Sequence, residues 1–122
     1  MKTDAQKQIE REQRDSLKRE FLTQWRRLGG PDLEEEYKFH RERGFKFDFA
    51  YTQSGLKIAI ELEGGTWLDK GGHTTGRGYT KDCTKYNLAN LDGWRLFRFT
   101  TDMLTNDPAG HLEPVIKLMR GL

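Results

Sequence analysis

A single cysteine, Cys83, leaves this 122-residue chain without an internal disulfide, which excludes the small secreted scaffolds that use cross-links in place of a core. With three prolines and no long apolar stretch, it holds neither a proline-rich linker nor a run able to span a bilayer. The opening Met1-Lys2-Thr3-Asp4-Ala5-Gln6-Lys7 lacks the apolar segment of a secretory leader, so a cytoplasmic protein with no membrane partner is expected. An excess of one charge is also missing, since 21 Lys and Arg stand against 19 Asp and Glu for a formal net charge of +2. Total charge therefore makes no case for a nucleic-acid partner; only the placement of charges can make it. Charge of both signs is abundant, 33% of residues against 34% hydrophobic ones, which suits a single domain with a modest core and an ionic surface.

Residues 5–28 contain no Pro or Gly, and Leu17, Phe21, Trp25 and Leu28 fall on one helical stripe. This predicts an N-terminal charged helix within residues 1–30, ended by Gly29-Gly30-Pro31. Its first two turns have little apolar content beyond Ile9, which marks them as projecting or fraying. A weak strand at Glu36-Tyr37-Lys38-Phe39-His40 turns through Arg41-Glu42-Arg43-Gly44 into Phe45-Lys46-Phe47-Asp48-Phe49-Ala50, and a third strand runs from Leu56 to Glu63. Together they predict a three-stranded antiparallel meander. Glycine is too frequent from Gly64 to Gly78 for regular structure, so a long loop is expected there, functional or disordered. A helix from Thr80 to Leu91 with Asp92-Gly93 as its exit follows, then a strand, Trp94-Arg95-Leu96-Phe97-Arg98-Phe99-Thr100, whose bulky residues in both phases suggest cover on both faces. A last helix falls within residues 108–122. The fold class is mixed α/β in the order α-β-β-β-α-β-α, with a core over residues 36–101.

Three acids stand out of phase with this apolar pattern. Phe45, Phe47 and Phe49 share one face of a strand, as do Leu56, Ile58, Ile60 and Leu62, leaving Asp48, Glu61 and Glu63 on the other. If Thr52-Gln53-Ser54-Gly55 is a four-residue hairpin loop, Phe49 faces Ile58 and Asp48 faces Ala59, one diagonal step from Glu61. Diagonal neighbours lie about 7–8 Å apart, near enough for two carboxylates to share a cation. Carboxylates gathered on one patch repel unless a cation or proton intervenes, so the pattern points to a hard-cation site, with phosphodiester hydrolysis as its natural reaction. The plainer alternative is that surface strands often carry solvated acids.

Lys81 and Lys85 share a face of the helix after the glycine loop and are candidates to bring an ammonium to the phosphate, against the plainer reading of a solvated face. His73 and Arg77, in the loop, are candidates for contact with a nucleic-acid backbone. Trp67 is a candidate for stacking on a base or for covering the core. Cys83 has no partner pattern for a nucleophile or zinc and is read as packing. The first helix is most simply a solvated amphipathic helix, with DNA contact or dimerisation through Arg11, Arg14, Lys18, Arg26 and Arg27 as its second reading.

Asp48, then Glu61-Leu62-Glu63, then Lys81-Asp82-Cys83-Thr84-Lys85-Tyr86-Asn87, then Gly93-Trp94-Arg95-Leu96-Phe97-Arg98-Phe99-Thr100 together resemble the PD-(D/E)XK nuclease superfamily. The likeness covers roughly residues 37–101 and is greatest to its small very-short-patch-repair-like and phage-type endonucleases. The resemblance implies a restriction-endonuclease-like core, a central mixed sheet flanked by helices. It makes Asp48 and Glu61 the metal-binding acids and the Leu62 carbonyl a further ligand, with Mg²⁺ as cofactor and Mn²⁺ as substitute. Phe47 stands in place of the Pro of the family's name, and Glu63 stands where the motif's Lys is expected. The lysine's work on water is then open to Lys85, to Lys81, or to Glu63 as base or extra ligand.

The resulting expectation is a Mg²⁺-dependent DNA endonuclease. Asp48, Glu61, Glu63 and Lys85 carry the chemistry, and Lys81, His73 and Arg77 hold substrate. A chain this small has no separate recognition domain, so structure-directed or weakly sequence-specific cleavage is expected, with a homodimer where both strands are cut. Two other classes stand beside it: a DNA-binding or interaction module keeping the nuclease fold without hydrolysis, and a small α/β protein whose acids are merely surface.

Overall fold

Thr3 opens the first helix, α1 (Asp4–Arg27). Its hydroxyl accepts the Gln6 amide at 3.1 Å and the Gln6 side chain accepts the Thr3 amide at 2.7 Å, a capping box that satisfies two donors a helix start leaves free. In the computed structural model, which describes residues 1–64 and 76–122 with the backbone alone at 76 and 77, residues 1–16 are all exposed. The first half of α1 is thus held by its cap and by ionic contacts such as Lys2 to Glu10 at 2.7 Å, and burial begins at Leu17. Leu17, Phe21 and Trp25 are buried, as the stripe predicted, with the Phe21 and Trp25 rings stacked at 5.3 Å. Leu28 is only partly buried, because it is the cap.

The exit of α1 is tight. The Gly30 amide donates to the Trp25 carbonyl at 2.8 Å, and the Trp25 indole N–H donates to the Pro31 carbonyl at 2.8 Å, so the chain folds back over the ring. A Cβ on Gly30 would lie 2.3 Å from that indole. Gly30→Ala is therefore expected to cost about 2 kcal/mol as overpacking, read as a lower urea midpoint at unchanged slope.

Contacts divide the chain into two compact units, one of Met1–Pro31 with Thr100–Leu122 and one of Asp32–Phe99. In the first, α1 packs with α3 (Thr101–Asn106) and α4 (Pro108–Arg120). Leu104, Leu112, Val115, Ile116 and Met119 are buried. Only one helix is predicted after the last strand, and α3 is the addition. The Thr100 hydroxyl caps it by accepting the Met103 amide at 3.2 Å, a turn too short to show a periodic stripe. α4 starts at Pro108, its Asp107 cap accepting the Gly110 amide at 3.1 Å, and it carries Pro114 inside. No helix among the described residues is long and apolar enough to cross a membrane.

The second unit holds a four-stranded sheet in the order β1 (Glu34–His40), β2 (Phe45–Tyr51), β3 (Ile58–Glu63), β4 (Arg95–Thr100), with α2 (Gly76–Leu91) between β3 and β4. β1, β2 and β3 form the expected antiparallel meander. The Arg95 amide bonds the Lys57 carbonyl at 2.9 Å, start to start, while Arg98 reaches Glu63 at the far end. β4 therefore runs parallel to β3, as an α-helical crossover demands, and the sheet is mixed. β4 is an edge strand with partial cover in both phases: Leu96 packs at the margin of the Phe47 cluster, while Phe97 is half-buried and Phe99 buried in the alternate phase. The strands that do have both faces covered are β2, where Phe49 and Ala50 are both buried, and β3, where Ile58, Ala59, Ile60 and Glu61 are.

One cluster of the second unit joins Phe47, Ala50, Ala59, Ala89 and Trp94, with Tyr37, Phe39 and Leu96 at its margin. Phe39 stacks on Phe47 at 4.1 Å, and Trp94 meets Phe47 edge-on at 5.0 Å. The exit of α2 sets Trp94 in place. Gly93 takes φ +84°, a left-handed value that glycine adopts freely, and turns the chain so that the Trp94 amide bonds the Ala89 carbonyl at 3.0 Å. Asp92 then accepts the Trp94 indole N–H at 3.1 Å and pairs with Lys57 at 3.1 Å; these two hydrogen bonds hold its carboxyl below the usual range.

Candidate functional site

The β2–β3 register differs from the sequence expectation by two residues. Phe49 faces Ile60, Ala50 faces Ala59 and Tyr51 faces Ile58, so the connection is longer than Thr52-Gln53-Ser54-Gly55. A 3₁₀ turn (Gln53–Gly55), with Ser54 at φ 56°, takes up the extra chain, and Leu56 and Lys57 precede the strand. A shift of two preserves the faces within the paired stretch, but Phe47 packs with Ala50, Ala59 and Ala89, so the single face expected for Phe45, Phe47 and Phe49 is not kept across Asp48. The ladder ends at Phe49 and Ile60, which leaves Asp48 and Glu61 as the next residue of each strand.

At that point side chains replace the backbone ladder. The Asp48 amide donates to Glu61 Oε2 at 3.0 Å, and the Leu62 amide donates to Asp48 Oδ2 at 2.8 Å. Each carboxylate thus bonds the backbone of the opposite strand, which fixes both against rotation. The face they share is packed. Ala50 and Ala59, with Ala89 of α2, let the helix lie close over the two strands, and Lys85, one turn before Ala89, falls beside Glu61. Lys85 Nζ forms an ion pair with Glu61 Oε1. Ala89→Leu is expected to cost about 1–3 kcal/mol and to lift Lys85 away from Glu61, measurable as a lower denaturation midpoint with altered Glu61 titration.

Glu61 is buried, at 7% exposure. Burial is the main cause that pushes its carboxyl up to about 7; the hydrogen bond and charge of Lys85 pull down, and the charge of Asp48 pushes up further. Lys85 therefore offsets only part of the cost of burying the Glu61 charge beside Asp48. Two hard oxygen donors that one lysine only partly neutralises could hold a divalent cation such as Mg²⁺, which uses one or two carboxylates and keeps several waters. Among the described residues no group of three or more His, Cys, Asp or Glu side chains is arranged to hold a metal, so the expected acidic trio is a pair.

Glu63 lies apart from that pair. Its Oε1 accepts from Arg98 Nε at 2.8 Å, and Arg98 in turn sits over the Tyr86 ring, 4.8 Å from its centre. Burial works against the Arg98 charge, but the hydrogen bond and charge of Glu63 outweigh it and hold the guanidinium pKa above its usual value. Burial, then the charge of Glu63, pushes the Tyr86 phenol up. Lys85 Nζ is 5.8 Å from the same ring. Sequence reasoning assigned no role to Arg98 or Tyr86. The signal that marks Arg98 is a charge interrupting Leu96-Phe97-Arg98-Phe99, visible but ambiguous until its neighbour across the sheet is known.

No protein-family model, characterised protein or solved structure matches the chain. Functional assignment accordingly rests on the geometry of these residues. Lys81 is exposed one turn before Lys85. α2 begins at Gly76, four residues before the predicted start, so Arg77 belongs to the helix, while its side chain and all of His73 and Trp67 lie outside the described residues. Cys83 is exposed, which corrects the packing role expected of it. It falls with Thr80, Asn87 and Asn90 on the outer face of α2, because Lys85 and Ala89 define the inner one. An open depression of about 300 Å³ lined by Phe39, His40, Arg41, Glu42 and Asp92 includes none of the acids of the pair.

Proposed function

We propose that this chain is a metal-dependent DNA endonuclease of the PD-(D/E)XK type, hydrolysing phosphodiester bonds with structure-directed or low sequence specificity. The observation that carries this reading is the Asp48–Glu61 pair, locked across two strands and met from α2 by Lys85. Asp48, Glu61 and the Leu62 carbonyl would hold Mg²⁺, or Mn²⁺ in its place, which supplies a water of lowered pKa and neutralises charge on the phosphate. Asp48, tied through Oδ2 to the Leu62 amide, keeps its other oxygen in a fixed direction, while Glu61 is held at Oε2 by the Asp48 amide and at Oε1 by Lys85. Lys85 sets an ammonium beside any phosphate oxygen that approaches Glu61, where charge develops during hydrolysis. Lys81, exposed one turn earlier, offers a second ammonium to the DNA backbone. A second copy of the chain would be needed to cut both strands.

A second reading, a DNA-binding or interaction module that keeps this arrangement without hydrolysis, is favoured by one observation. Glu63 stands where the family's lysine is expected and is engaged by Arg98. Nicking of supercoiled plasmid in Mg²⁺ or Mn²⁺ separates the two. Metal-dependent nicking lost with Asp48→Asn supports the enzyme; nicking that survives the substitution removes these residues from the reaction, and no cleavage of plasmid, branched or single-stranded DNA in either metal favours the module.

A further inference from the structure

The ion pair between Glu63 and Arg98 is not explained by stability. The Arg98 side chain is half exposed, and pairs that wet contribute little to stability. Its geometry is more informative. The guanidinium is held at its Nε edge by Glu63 Oε1 at 2.8 Å, and on one face by the Tyr86 ring at 4.8 Å. Carboxylate and ring between them fix the plane of an otherwise flexible side chain. Of the donors on Arg98, Nε–H is the one committed to Glu63 among the described contacts; the two terminal nitrogens carry four more N–H groups in the fork that matches phosphate oxygens. The ring that seats Arg98 also lies 5.8 Å from Lys85 Nζ, so two cations flank Tyr86. Glu63 is two residues from Glu61 along β3, which brings this guanidinium beside the carboxylate pair.

We propose that Arg98 is a phosphate clamp on DNA next to the Asp48–Glu61 centre and that Glu63 is its positioning residue, the acid in the lysine's place serving substrate binding through an arginine. The proposal takes the identity of its anion, a DNA phosphodiester, from the nuclease reading above. No bond forms or breaks at Arg98. Its contribution is a fixed pair of donors and a charge that releases counterions when it meets a phosphate.

The test measures binding of the full chain to a fluorescently labelled DNA duplex by anisotropy over a range of salt, together with KM and kcat for nicking. Arg98→Gln is expected to weaken binding about tenfold, to lower the slope of log affinity against log salt by about one, and to raise KM with kcat little changed. Glu63→Gln should move binding the same way by about threefold, since it frees the guanidinium without removing it. The exchanged double variant, Glu63→Arg with Arg98→Glu, restores the ion pair and is expected to restore thermal stability but not binding. Unchanged affinity and salt slope in Arg98→Gln, or recovery of binding in the exchanged variant, overturns the proposal. The outcomes separate it from the catalytic reading: Arg98-dependent binding without metal-dependent nicking keeps the clamp and removes the enzyme, whereas nicking that is indifferent to Arg98 keeps the enzyme and removes the clamp.

Discussion

Asp48→Asn is expected to abolish metal-dependent nicking, a loss of about a thousandfold or more, while leaving the protein almost as stable as wild type. A thousandfold is about 4 kcal/mol of transition-state stabilisation, the scale on which a lost carboxylate at a hydrolytic cation site acts. The asparagine carbonyl can still accept the Leu62 amide that Asp48 Oδ2 accepts at 2.8 Å, so the junction between β2 and β3 stays closed. Asp48→Ala should abolish nicking equally but cost a further 1–2 kcal/mol or so, because it leaves that amide without an acceptor. Comparing the pair, by plasmid nicking and by urea unfolding, separates chemistry from folding. Equal loss of activity with unequal loss of stability is the expected result, and activity retained in either variant sinks the assignment of Asp48 to the centre.

Lys85→Ala is expected to destabilise the fold by an amount that grows with pH, from about 1 kcal/mol at pH 5 to clearly more above pH 7. In wild type, the folded state binds the Glu61 proton more tightly than the unfolded chain does, with the carboxyl at about 7 instead of 4.5. The stabilisation this provides is complete below the unfolded value and is lost as pH rises through about 7. Both effects of Lys85 on Glu61 lower its pKa; without the lysine, the carboxyl ionises later and the loss continues to higher pH. Above about 7 the difference between variant and wild type therefore widens with pH, by up to about 1.4 kcal/mol per unit, on top of a packing loss that does not depend on pH. Unfolding in urea across pH 5 to 8.5 reads this out directly. The double variant Lys85→Ala with Glu61→Gln should lose the pH dependence altogether; a destabilisation that is flat with pH would mean that Lys85 does not govern the charge of Glu61.

Much of the fold was legible in local patterns. The stripe of Leu17, Phe21 and Trp25 locates α1, because periodic burial is written into residue order, and the β-rich runs around Phe47 and Ile60 locate the meander although burial in β3 is continuous. Features fixed by few residues were not legible: α3 hangs on one Thr100 cap, and the early start of α2 falls among glycines that imply loop. The β2–β3 register depended on how much chain a 3₁₀ turn absorbs, which no period reports. Cys83 was misjudged because a polar helix with a weak stripe does not reveal its inner face until Ala89 is seen against Ala50 and Ala59.

By itself, then, the sequence determined a mixed α/β chain with Asp48 and Glu61 out of phase with the apolar residues of two neighbouring strands. Alternation alone ensures that. Tertiary structure decided what the acids do with each other and with the rest of the chain. It bonded the Asp48 amide to the Glu61 carboxylate, buried Glu61 beneath α2, assigned Lys85 to it, and turned Glu63 to Arg98 on the Tyr86 ring. These outcomes depend on register and helix placement, which are settled by packing between residues far apart in the chain, as 24 and 35 residues separate the partners of the two ion pairs. Local order fixes which face a carboxylate takes; only the closed fold fixes which cation it meets.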